Sequence, residues 1–354
     1  MLTHPGVYFG AGPALLPREV LSRFSSQTLV GHQCELRFYE LSHRHPLSLA
    51  RQREISECFR ALFNIPEQYR LLFLAGGARH QYEQILLNFS HRYRFLMLES
   101  GHWARAWADT IEAFCPDRLT RVPVDVHQEM RTKMATGDDC EMLFTVLNET
   151  VDGHHLPISV KSHPCAVADA TSQMGFRHID VTDYQMLFMQ TSKALGVAGM
   201  TIVICHEDLL AHCASDLMPL QSYQSISQHE SLYSTPPLVC MDVLWHMLCW
   251  MDAQGGMSVL SARQYERASR LYKLLENQPG YRCRVPAACR STQNICFDVP
   301  SGLSAFLDAA EKNGLYGLRG HAAVGGVRVN LYHGIDDDAY ERLIGFLNAY
   351  GDRI

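Results

Sequence analysis

The sequence predicts an α/β protein, with a large domain built on a mostly parallel β-sheet and a smaller α+β domain after it. Up to about residue 237, short runs of continuously apolar residues alternate with longer amphipathic stretches. Unbroken apolar runs are typical of strands that helices cover on both faces, as in a parallel sheet. Beyond that point, long helical stretches outnumber strands. We therefore expect a large domain over residues 1–245 and a small domain over residues 246–354.

Six apolar runs are predicted to be strands of the large sheet. They are residues 69–74, 94–99, 141–147, 165–168, 185–189 and 200–205. The link between the last two runs is too short for a helical crossover, which predicts that the last strand runs antiparallel to its neighbour. Helices are predicted over residues 79–89 and 103–114, and the Gly76-Gly77 turn leads into the first of them.

The smaller domain is predicted from four helical stretches and two apolar strands. The helices are residues 237–251, 261–278, 303–312 and 336–350, and the strands are residues 293–299 and 325–332. The stretch 261–278 is amphipathic and highly charged, which is typical of a helix with one solvated face.

Composition excludes several classes of function. The 354 residues are 47% hydrophobic and 19% charged, which is ordinary for a globular protein with a sizeable core. A net charge of −6 and a pI near 6.3 argue against nucleic-acid and anionic-membrane partners. The sequence starts without a secretory leader and has no run of about 20 apolar residues, so we expect a cytoplasmic protein. The 12 cysteines form no Cys-x-x-Cys pair, and there is no His-Glu-x-x-His, so we expect reduced thiols and no metal site.

Lys193 points most directly to a chemistry. It is the one lysine that follows a buried-type strand directly; the other lysines are Lys133, Lys161, Lys273 and Lys312. About two dozen residues upstream, Asp169 ends another apolar run. A strand-end lysine that forms a Schiff base, with a strand-end aspartate that holds a pyridinium nitrogen, predicts a pyridoxal phosphate (PLP) enzyme. The alternatives are a surface lysine and an aspartate that only caps the next helix.

Two segments are candidate phosphate-binding elements. Gly76-Gly77-Ala78-Arg79 lies between a strand and a helix, where small residues let the backbone approach an anion and the helix N-terminus supplies N–H donors. Ser234 and Thr235 offer two hydroxyls before the helix predicted from residue 237. The alternatives are an ordinary glycine turn and an ordinary helix N-cap.

Other residues are candidates for contacts to a ring or to a substrate anion. Trp103 is a candidate to stack on a cofactor ring, the alternative being a core tryptophan. Arg328 interrupts an apolar strand, so it either extends to solvent or faces a cleft and holds a carboxylate with two hydrogen bonds. His43 with Arg44, and His321, are the remaining candidates for binding an anion.

Eight blocks in order along the chain resemble the phosphoserine aminotransferase family, whose members are class V, fold-type I PLP-dependent aminotransferases. The blocks are residues 9–17, 42–44, 76–81, 148–153, 168–172, 192–204, 232–237 and 320–328. The most diagnostic are Asn-Glu-Thr-Val-Asp-Gly at 148–153 and Ser-Thr-Pro-Pro at 234–237. The resemblance covers essentially the whole chain. It implies a seven-stranded, mostly parallel sheet, a substrate-binding N-terminal segment over residues 1–50, and a homodimer with shared active sites.

The resemblance also implies a role for each candidate residue. Lys193 would carry the cofactor and move the proton, and Asp169 would bind the pyridinium nitrogen. The other implied cofactor contacts are Trp103 stacking on the ring, Thr150 on the ring hydroxyl, and Ala78, Arg79 and Ser192 on the phosphate, with Ser234 and Thr235 reaching it from the partner subunit. The implied substrate contacts are Arg328 for the α-carboxylate, and His43, Arg44, Arg79 and His321 for the distal phosphate or carboxylate.

Five positions depart from the family pattern. They are Ala11 for Ser, Ser192 for Gln, Ala194 for Asn, Ser234 for Asn, and Ala322 for the basic residue usually found after His321. Loss of one charge-assisted contact to a phosphate costs about 1.5–3 kcal/mol. Ala322 therefore bears on the identity of the substrate, whereas the other four positions bear mainly on cofactor contacts.

The resemblance implies reversible amino transfer between glutamate and 3-phosphohydroxypyruvate, giving O-phosphoserine and 2-oxoglutarate in serine biosynthesis. A phosphorylated hydroxythreonine of pyridoxine (vitamin B6) biosynthesis is a second substrate that the family implies. Two alternatives stay open. One is a class V aminotransferase whose specificity has drifted to a non-phosphorylated keto acid, and the other is a catalytically silent PLP-binding protein.

Overall fold

The computed structural model of the chain describes residues 6–26, 36–126 and 141–352. Lys133 and parts of the predicted substrate-binding segment, residues 1–5 and 27–35, lie outside the described residues. The α-helices in these ranges are α1 (Arg18–Ser26), α2 (Pro46–Phe63), α3 (Ala78–Phe89), α4 (His102–Phe114), α5 (Glu207–Leu210), α6 (Tyr223–Gln228), α7 (Leu238–Ala253), α8 (Gly256–Asn277), α9 (Leu303–Lys312) and α10 (Asp337–Gly351). The strands are β1 (Val7–Tyr8), β2 (Tyr69–Ala75), β3 (Arg94–Glu99), β4 (Leu119–Pro123), β5 (Glu141–Val146), β6 (Asn148–Glu149), β7 (His154–His155), β8 (Ala166–Asp169), β9 (Met186–Gln190), β10 (Met200–His206), β11 (Arg282–Cys283), β12 (Asn294–Asp298), β13 (Leu315–Tyr316) and β14 (Val327–Asn330).

A seven-stranded sheet forms the centre of the larger part of the molecule. The order of its strands is β2-β10-β9-β8-β5-β3-β4. β10 is antiparallel to both of its neighbours, and every other neighbouring pair is parallel. The predicted α/β fold with a mostly parallel sheet is confirmed, and so is the antiparallel course of the strand after Lys193. The short link between β9 and β10 leaves no room for a crossover helix.

Helices cover both faces of this sheet, which explains why its strands are apolar along most of their length. On one face, α2 and α7 enclose a core that includes Phe59, Met189 and Met247. On the other face, α3 and α4 enclose a core in which the rings of Trp107 and Phe144 stack at a centroid distance of 4.4 Å. Because both faces are covered, the sheet presents polar groups to a ligand mainly at its strand ends.

The carboxyl ends of the parallel strands share one edge of the sheet, and the segments singled out by the sequence meet there. β2 leads into the Gly76-Gly77 turn and α3, β8 ends at Asp169, and β9 leads into the turn that carries Lys193. β5 leads into β6, which pairs with β7 in a small hairpin. In open α/β sheets, ligands bind outside this edge.

The C-terminal part has α+β structure. β12 pairs antiparallel with β11 and β14, and α8, α9 and α10 pack with this sheet around a core that includes Phe297 and Phe306. α8 begins earlier than predicted, because Gly255 adopts a φ of +95° and turns the chain directly out of α7. β1 also pairs in parallel with β13 of this part. The division between residues 245 and 246 stays a prediction.

A membrane-spanning helix and a metal-binding cluster are both absent from the described ranges. None of the helices there combines the length and the apolarity that a membrane span needs. No group of three or more His, Cys, Asp and Glu side chains in the same ranges is arranged to hold a metal ion.

Candidate active site

Lys193 lies in a tight turn at the end of β9, where the chain reverses into β10. The backbone N–H of Thr191 donates to the carbonyl of Met200 at 3.0 Å and closes the turn. The Lys193 side chain is half-buried and lies against Gly12, where an added Cβ would stand 3.7 Å from Cε of Lys193. Burial lowers the pKa of Lys193 from 10.5 to about 8, although the charge of Asp169 opposes this shift. Part of the Lys193 population is therefore neutral near neutral pH, as condensation with a carbonyl requires.

Asp169 is buried at the end of β8, with 7% of its surface exposed. Its Oδ1 accepts the backbone N–H of Thr171 at 2.9 Å, and its Oδ2 accepts the hydroxyl of Tyr82 at 3.1 Å. Burial raises the pKa of the Asp169 carboxyl, while the hydroxyl and backbone N–H of Thr171, the charge of Lys193 and the hydroxyl of Tyr82 act in the opposite direction. The alternative role as a helix cap is wrong, because residues 171–176 form turns and not a helix, and the bond to Thr171 stabilises the first of these turns. The same carboxylate also faces the lysine charge.

A hydrogen bond links Trp103 and Thr150: the indole Nε1–H donates to Oγ1 of Thr150 at 2.9 Å. Trp103 lies in the first turn of α4, whose N–H groups need acceptors from outside the helix. Glu149 provides them: its carboxylate accepts the N–H groups of Trp103 and Ala104, each at 2.8 Å. Burial raises the pKa of Glu149 to about 7 in spite of these two bonds. Glu149 and Thr150 together fix the indole at the sheet edge.

The Gly76-Gly77 turn forms the start of α3 in the way a phosphate cradle requires. Gly76 has a φ of +112°, a conformation that favours glycine. Nδ1 of His80 accepts the N–H of Gly77 at 3.0 Å. Ala78 and Arg79 are the first two residues of α3, so their N–H groups are among those that a helix leaves without an internal acceptor. These two donors suit an anion at the helix N-terminus.

Arg328 in β14 is buried, with 8% of its surface exposed. Its Nη1 donates to the carbonyl of Thr150 at 2.8 Å, and its charge contributes to the lowered pKa of Lys193. Within the described structure its Nε is buried and has no hydrogen-bond partner. An unsatisfied buried donor costs about 1–3 kcal/mol, which a carboxylate ligand would recover. Of the two predicted orientations, Arg328 therefore has the one that faces inward.

Arg79, His102 and His321 form a basic cluster beside Trp103. The guanidinium of Arg79 lies 5.2 Å from the centroid of the Trp103 ring, and the imidazoles of His102 and His321 are 5.1 Å apart. Burial and the charge of His321 lower the pKa of His102, and Asp152 opposes this shift. The lowered pKa leaves His102 mostly uncharged at neutral pH, so an anion bound here would meet the charge of Arg79 together with the ring N–H donors of the two imidazoles.

The loop that carries His321 is fixed from behind by Arg284. Nη1 of Arg284 donates to two loop carbonyls, those of Val324 and Gly325, at 3.0 and 3.1 Å. Ala322 is exposed on this loop and contributes only a methyl group at the position where the family pattern has a cation. Binding of an anion at this end of the site therefore depends on the charge of Arg79 and the ring N–H groups of His102 and His321.

The N-terminal segment closes the site from the other side. The backbone N–H of Ala14 donates to the carbonyl of Ser192 at 2.8 Å, next to Lys193. The hydroxyl of Tyr332 donates to the carbonyl of Ala11 at 3.0 Å. Ser192 itself is buried, and its contact to the cofactor phosphate stays a prediction.

The remaining predicted residues form a second group, which consists of His43, Arg44, Ser234 and Thr235. Oγ1 of Thr235 and Nδ1 of His43 are hydrogen-bonded at 3.0 Å. In the described ranges, the hydrogen bonds of His43 and Arg44 stay within this region rather than reaching Lys193. The alternative N-cap role of the two hydroxyls is wrong, because α7 begins directly after Pro237 and no side chain caps it.

Three residues at the site were not assigned a role from the sequence: Tyr82, Glu149 and His102. Glu149 lies in a diagnostic block, but the N–H groups that it accepts belong to a helix start 45 or more residues away. The position of His102 becomes meaningful only beside His321. Tyr82 lies one turn into a helix that packs on the sheet, and this position is only a weak indication of a role at the site.

The groups brought together at the sheet edge fit PLP. A depressed lysine pKa suits a carbonyl cofactor, the buried carboxylate suits a ring nitrogen, and the free N–H groups of α3 suit a phosphate. The sequence model of the family described as Aminotransferase class-V matches residues 7–323. The chain belongs to the class-V aminotransferases. It is a PLP-dependent transaminase.

This aminotransferase is also similar over its whole length to individual known proteins. The phosphoserine aminotransferase of Coxiella burnetii (strain CbuK_Q154) is 30% identical to it, and the match covers 98% of each chain. Among solved structures, a phosphoserine aminotransferase from Bacillus circulans subsp. alkalophilus superposes with a TM-score of 0.90 at 27% identity, over 98% of each chain. A PLP-bound phosphoserine aminotransferase from Trichomonas vaginalis superposes with a TM-score of 0.87 at 25% identity, over 96% of this chain and 98% of that one.

The lowered pKa of Lys193 predicts a pH dependence of cofactor uptake by the aminotransferase. The neutral amine attacks the carbonyl, and its fraction rises with pH until the pH passes about 8. We expect the rate at which apoenzyme recombines with PLP to be about tenfold lower one pH unit below this midpoint than on the plateau. Rapid-mixing measurements between pH 6 and 10 check this, and a midpoint near the ordinary lysine value of 10.5 would contradict the burial of Lys193.

Proposed function

We propose that this aminotransferase exchanges an amino group between glutamate and 3-phosphohydroxypyruvate, giving O-phosphoserine and 2-oxoglutarate in serine biosynthesis. The observation that carries the proposal is the basic cluster of Arg79, His102 and His321 in the same site as buried Arg328. A guanidinium for one carboxylate and a separate basic cluster suit an amino acid with a second anionic end. The similarity to phosphoserine aminotransferases at 30% and 27% identity supports the same substrate.

In this proposal each residue of the site has one task. Bound PLP supplies the electron sink for the charge that develops at the substrate Cα. Lys193 takes the Cα proton, a transfer that typically contributes about 10²–10⁴-fold to the rate. Asp169 keeps a negative charge at the ring nitrogen, and Arg328 binds the α-carboxylate through Nε and its remaining amino group. Binding of the α-carboxylate by Arg328 keeps the substrate Cα beside the amine of Lys193.

The two substrates would bind to the same basic cluster, one after the other. The side-chain carboxylate of glutamate and the phosphate of the second substrate are the anions that Arg79, His102 and His321 would contact. The reaction is therefore ping-pong: glutamate gives its amino group to the enzyme, and the phosphorylated keto acid takes it away. A phosphorylated hydroxythreonine of pyridoxine biosynthesis has the same two anionic ends and is a second substrate candidate.

Ala322 favours one competing function, a class V aminotransferase that acts on a non-phosphorylated keto acid. The methyl group of Ala322 offers no charge to a phosphate. If the cluster of Arg79, His102 and His321 were too weak to hold a dianion, glutamate would react and O-phosphoserine would not.

Half-reactions separate these two functions. Holoenzyme is mixed with O-phosphoserine, glutamate or serine, and the loss of the cofactor's visible absorbance is followed by stopped flow. We expect saturable reaction with O-phosphoserine and glutamate. For serine we expect kcat/KM to be lower by at least about 100-fold, because it forfeits two or more contacts of about 1.5–3 kcal/mol each. Reaction with glutamate but not with O-phosphoserine would contradict the proposed substrate.

We further propose a homodimer in which His43, Arg44, Ser234 and Thr235 complete the site of the partner subunit. Two observations support it. His43 and Thr235 are hydrogen-bonded to each other across two distant segments of the chain, and Nε2 of His43 is buried without a partner in the described part of the chain. Two-fold symmetric dimers are the commonest oligomers, and their symmetry would give two equivalent shared sites.

A cytoplasmic location is also part of the proposal. The ten cysteines that lie in the described residues are all free thiols. A reducing compartment keeps thiols in this state.

A further inference from the structure

Tyr82 is held rigidly in the core beside the cofactor site. It lies in α3 and is 2% exposed. Its ring stacks on Trp107 with a centroid distance of 4.9 Å and an interplanar angle of 9°, and it meets Phe188 edge-on at 6.0 Å. Contacts on its face and its edge leave the ring one orientation. In that orientation the hydroxyl stands 3.1 Å from Oδ2 of Asp169.

The Tyr82 hydroxyl is the donor in this hydrogen bond. Burial and the charge of Asp169 raise the pKa of Tyr82 well above its ordinary value of 10.0, so the phenol keeps its proton. A neutral phenol beside a carboxylate donates, and such bonds are stronger than those between neutral groups. The other carboxylate oxygen accepts the N–H of Thr171. Thr171, whose hydroxyl also lowers the pKa of Asp169, thus acts on one carboxylate oxygen and Tyr82 on the other, and these donors fix the carboxylate in its plane.

We propose that Tyr82 is a positioning residue of the cofactor site, whose hydroxyl keeps Asp169 oriented and ionised for the ring nitrogen of bound PLP. The proton between the nitrogen and the carboxylate is shared by two bases. A donor on the carboxylate makes it the weaker base, so the proton stays on the nitrogen. Without the hydroxyl, the proton shifts from the ring nitrogen toward Asp169, and the ring withdraws less electron density from the substrate Cα. This inference concerns the cofactor site alone and holds for any amino-acid substrate.

Tyr82→Phe tests the proposal, because it removes one oxygen and keeps the stacked ring. Tyr223→Phe is the matched control. Tyr223 is fully buried in α6. Its hydroxyl donates at 2.7 Å to Oε1 of Gln81, which lies in α3 like Tyr82, and it has no hydrogen bond to Asp169. Each holoenzyme is loaded with PLP whose ring nitrogen is isotopically labelled. Its NMR chemical shift reports nitrogen protonation, and stopped flow gives the glutamate half-reaction.

Tyr82→Phe is expected to move the nitrogen signal toward the unprotonated value. It is also expected to slow the half-reaction by about tenfold, the equivalent of one pKa unit on the carboxylate, with little change in the substrate concentration for half-saturation. Tyr223→Phe should leave both readouts at the wild-type values. An unchanged nitrogen signal in a folded Tyr82→Phe enzyme would overturn the proposal, and so would an equal shift in both variants.

Incorporation of fluorotyrosine at position 82 keeps the experiment decisive if Tyr82→Phe fails to fold. Fluorination strengthens the phenol as a donor without removing any contact. The proposal expects the nitrogen signal to move in the direction of greater protonation, opposite to that of Tyr82→Phe. A signal that stays unchanged, or moves in the same direction as that of Tyr82→Phe, would show that the hydroxyl does not act through Asp169.

Discussion

Lys193→Ala is expected to abolish amino transfer while the protein stays folded. The variant removes the group that takes the Cα proton, which alone costs about 10²–10⁴-fold, and it also removes the amine that captures the cofactor. Stability should not suffer, because burial already disfavours the charged form of this lysine, as its pKa of about 8 indicates. Steady-state rates and thermal unfolding of the variant, compared with wild type, check both expectations.

Lys161→Ala is the matched control for this variant. Lys161 is exposed and pairs with Asp183 at 3.6 Å on the surface. Such pairs contribute about 0–1 kcal/mol, so activity and unfolding temperature should stay near those of wild type. A Lys193→Ala enzyme that keeps its activity within about tenfold of wild type would mean that another group moves the proton.

Hybrid dimers are expected to regain activity that neither parent has. One parent carries Lys193→Ala, and the other carries His43→Ala with Arg44→Ala. In a dimer with shared sites, one site of the hybrid receives both sets of changes and the other receives none. A purified hybrid should therefore show about half of the wild-type activity, because a symmetric dimer has two equivalent sites.

The hybrid experiment distinguishes shared sites from separate ones. If His43 and Arg44 act within their own subunit, each site of the hybrid carries one defect and activity stays as low as in the parents. Differently tagged subunits allow the hybrid to be purified away from both parents. A dimer of two Lys193→Ala chains, taken through the same tag purification, controls for exchange and contamination.

The apolar runs of the sequence predicted six of the seven strands of the large sheet. Their continuous apolarity has a physical cause, since helices cover both faces of the sheet. β4 escaped prediction because it buries too little surface to leave an apolar signature: Leu119–Pro123 has no fully buried residue, is paired only with β3 and ends in proline. β2, the strand at the other edge of the sheet, has four buried residues and was predicted.

The site residues that could be predicted from the sequence are those that lie at or just after the end of an apolar strand. Lys193 and Asp169 carry that signal, and so does the Gly76-Gly77 turn. Tyr82, Glu149 and His102 could not be assigned, because their partners are distant in the sequence: the Tyr82 hydroxyl meets a carboxylate 87 residues away. Contacts of this kind depend on the register of strands and helices, which apolar periodicity does not specify.

Borohydride trapping tests the central claim that Lys193 is the cofactor lysine. Reduction fixes a carbonyl cofactor irreversibly to the amine that holds it. Peptide mapping of the reduced holoenzyme by mass spectrometry then identifies the modified lysine. We expect one modified peptide, with PLP on Lys193. Modification of another lysine instead, or of no lysine, would contradict this assignment.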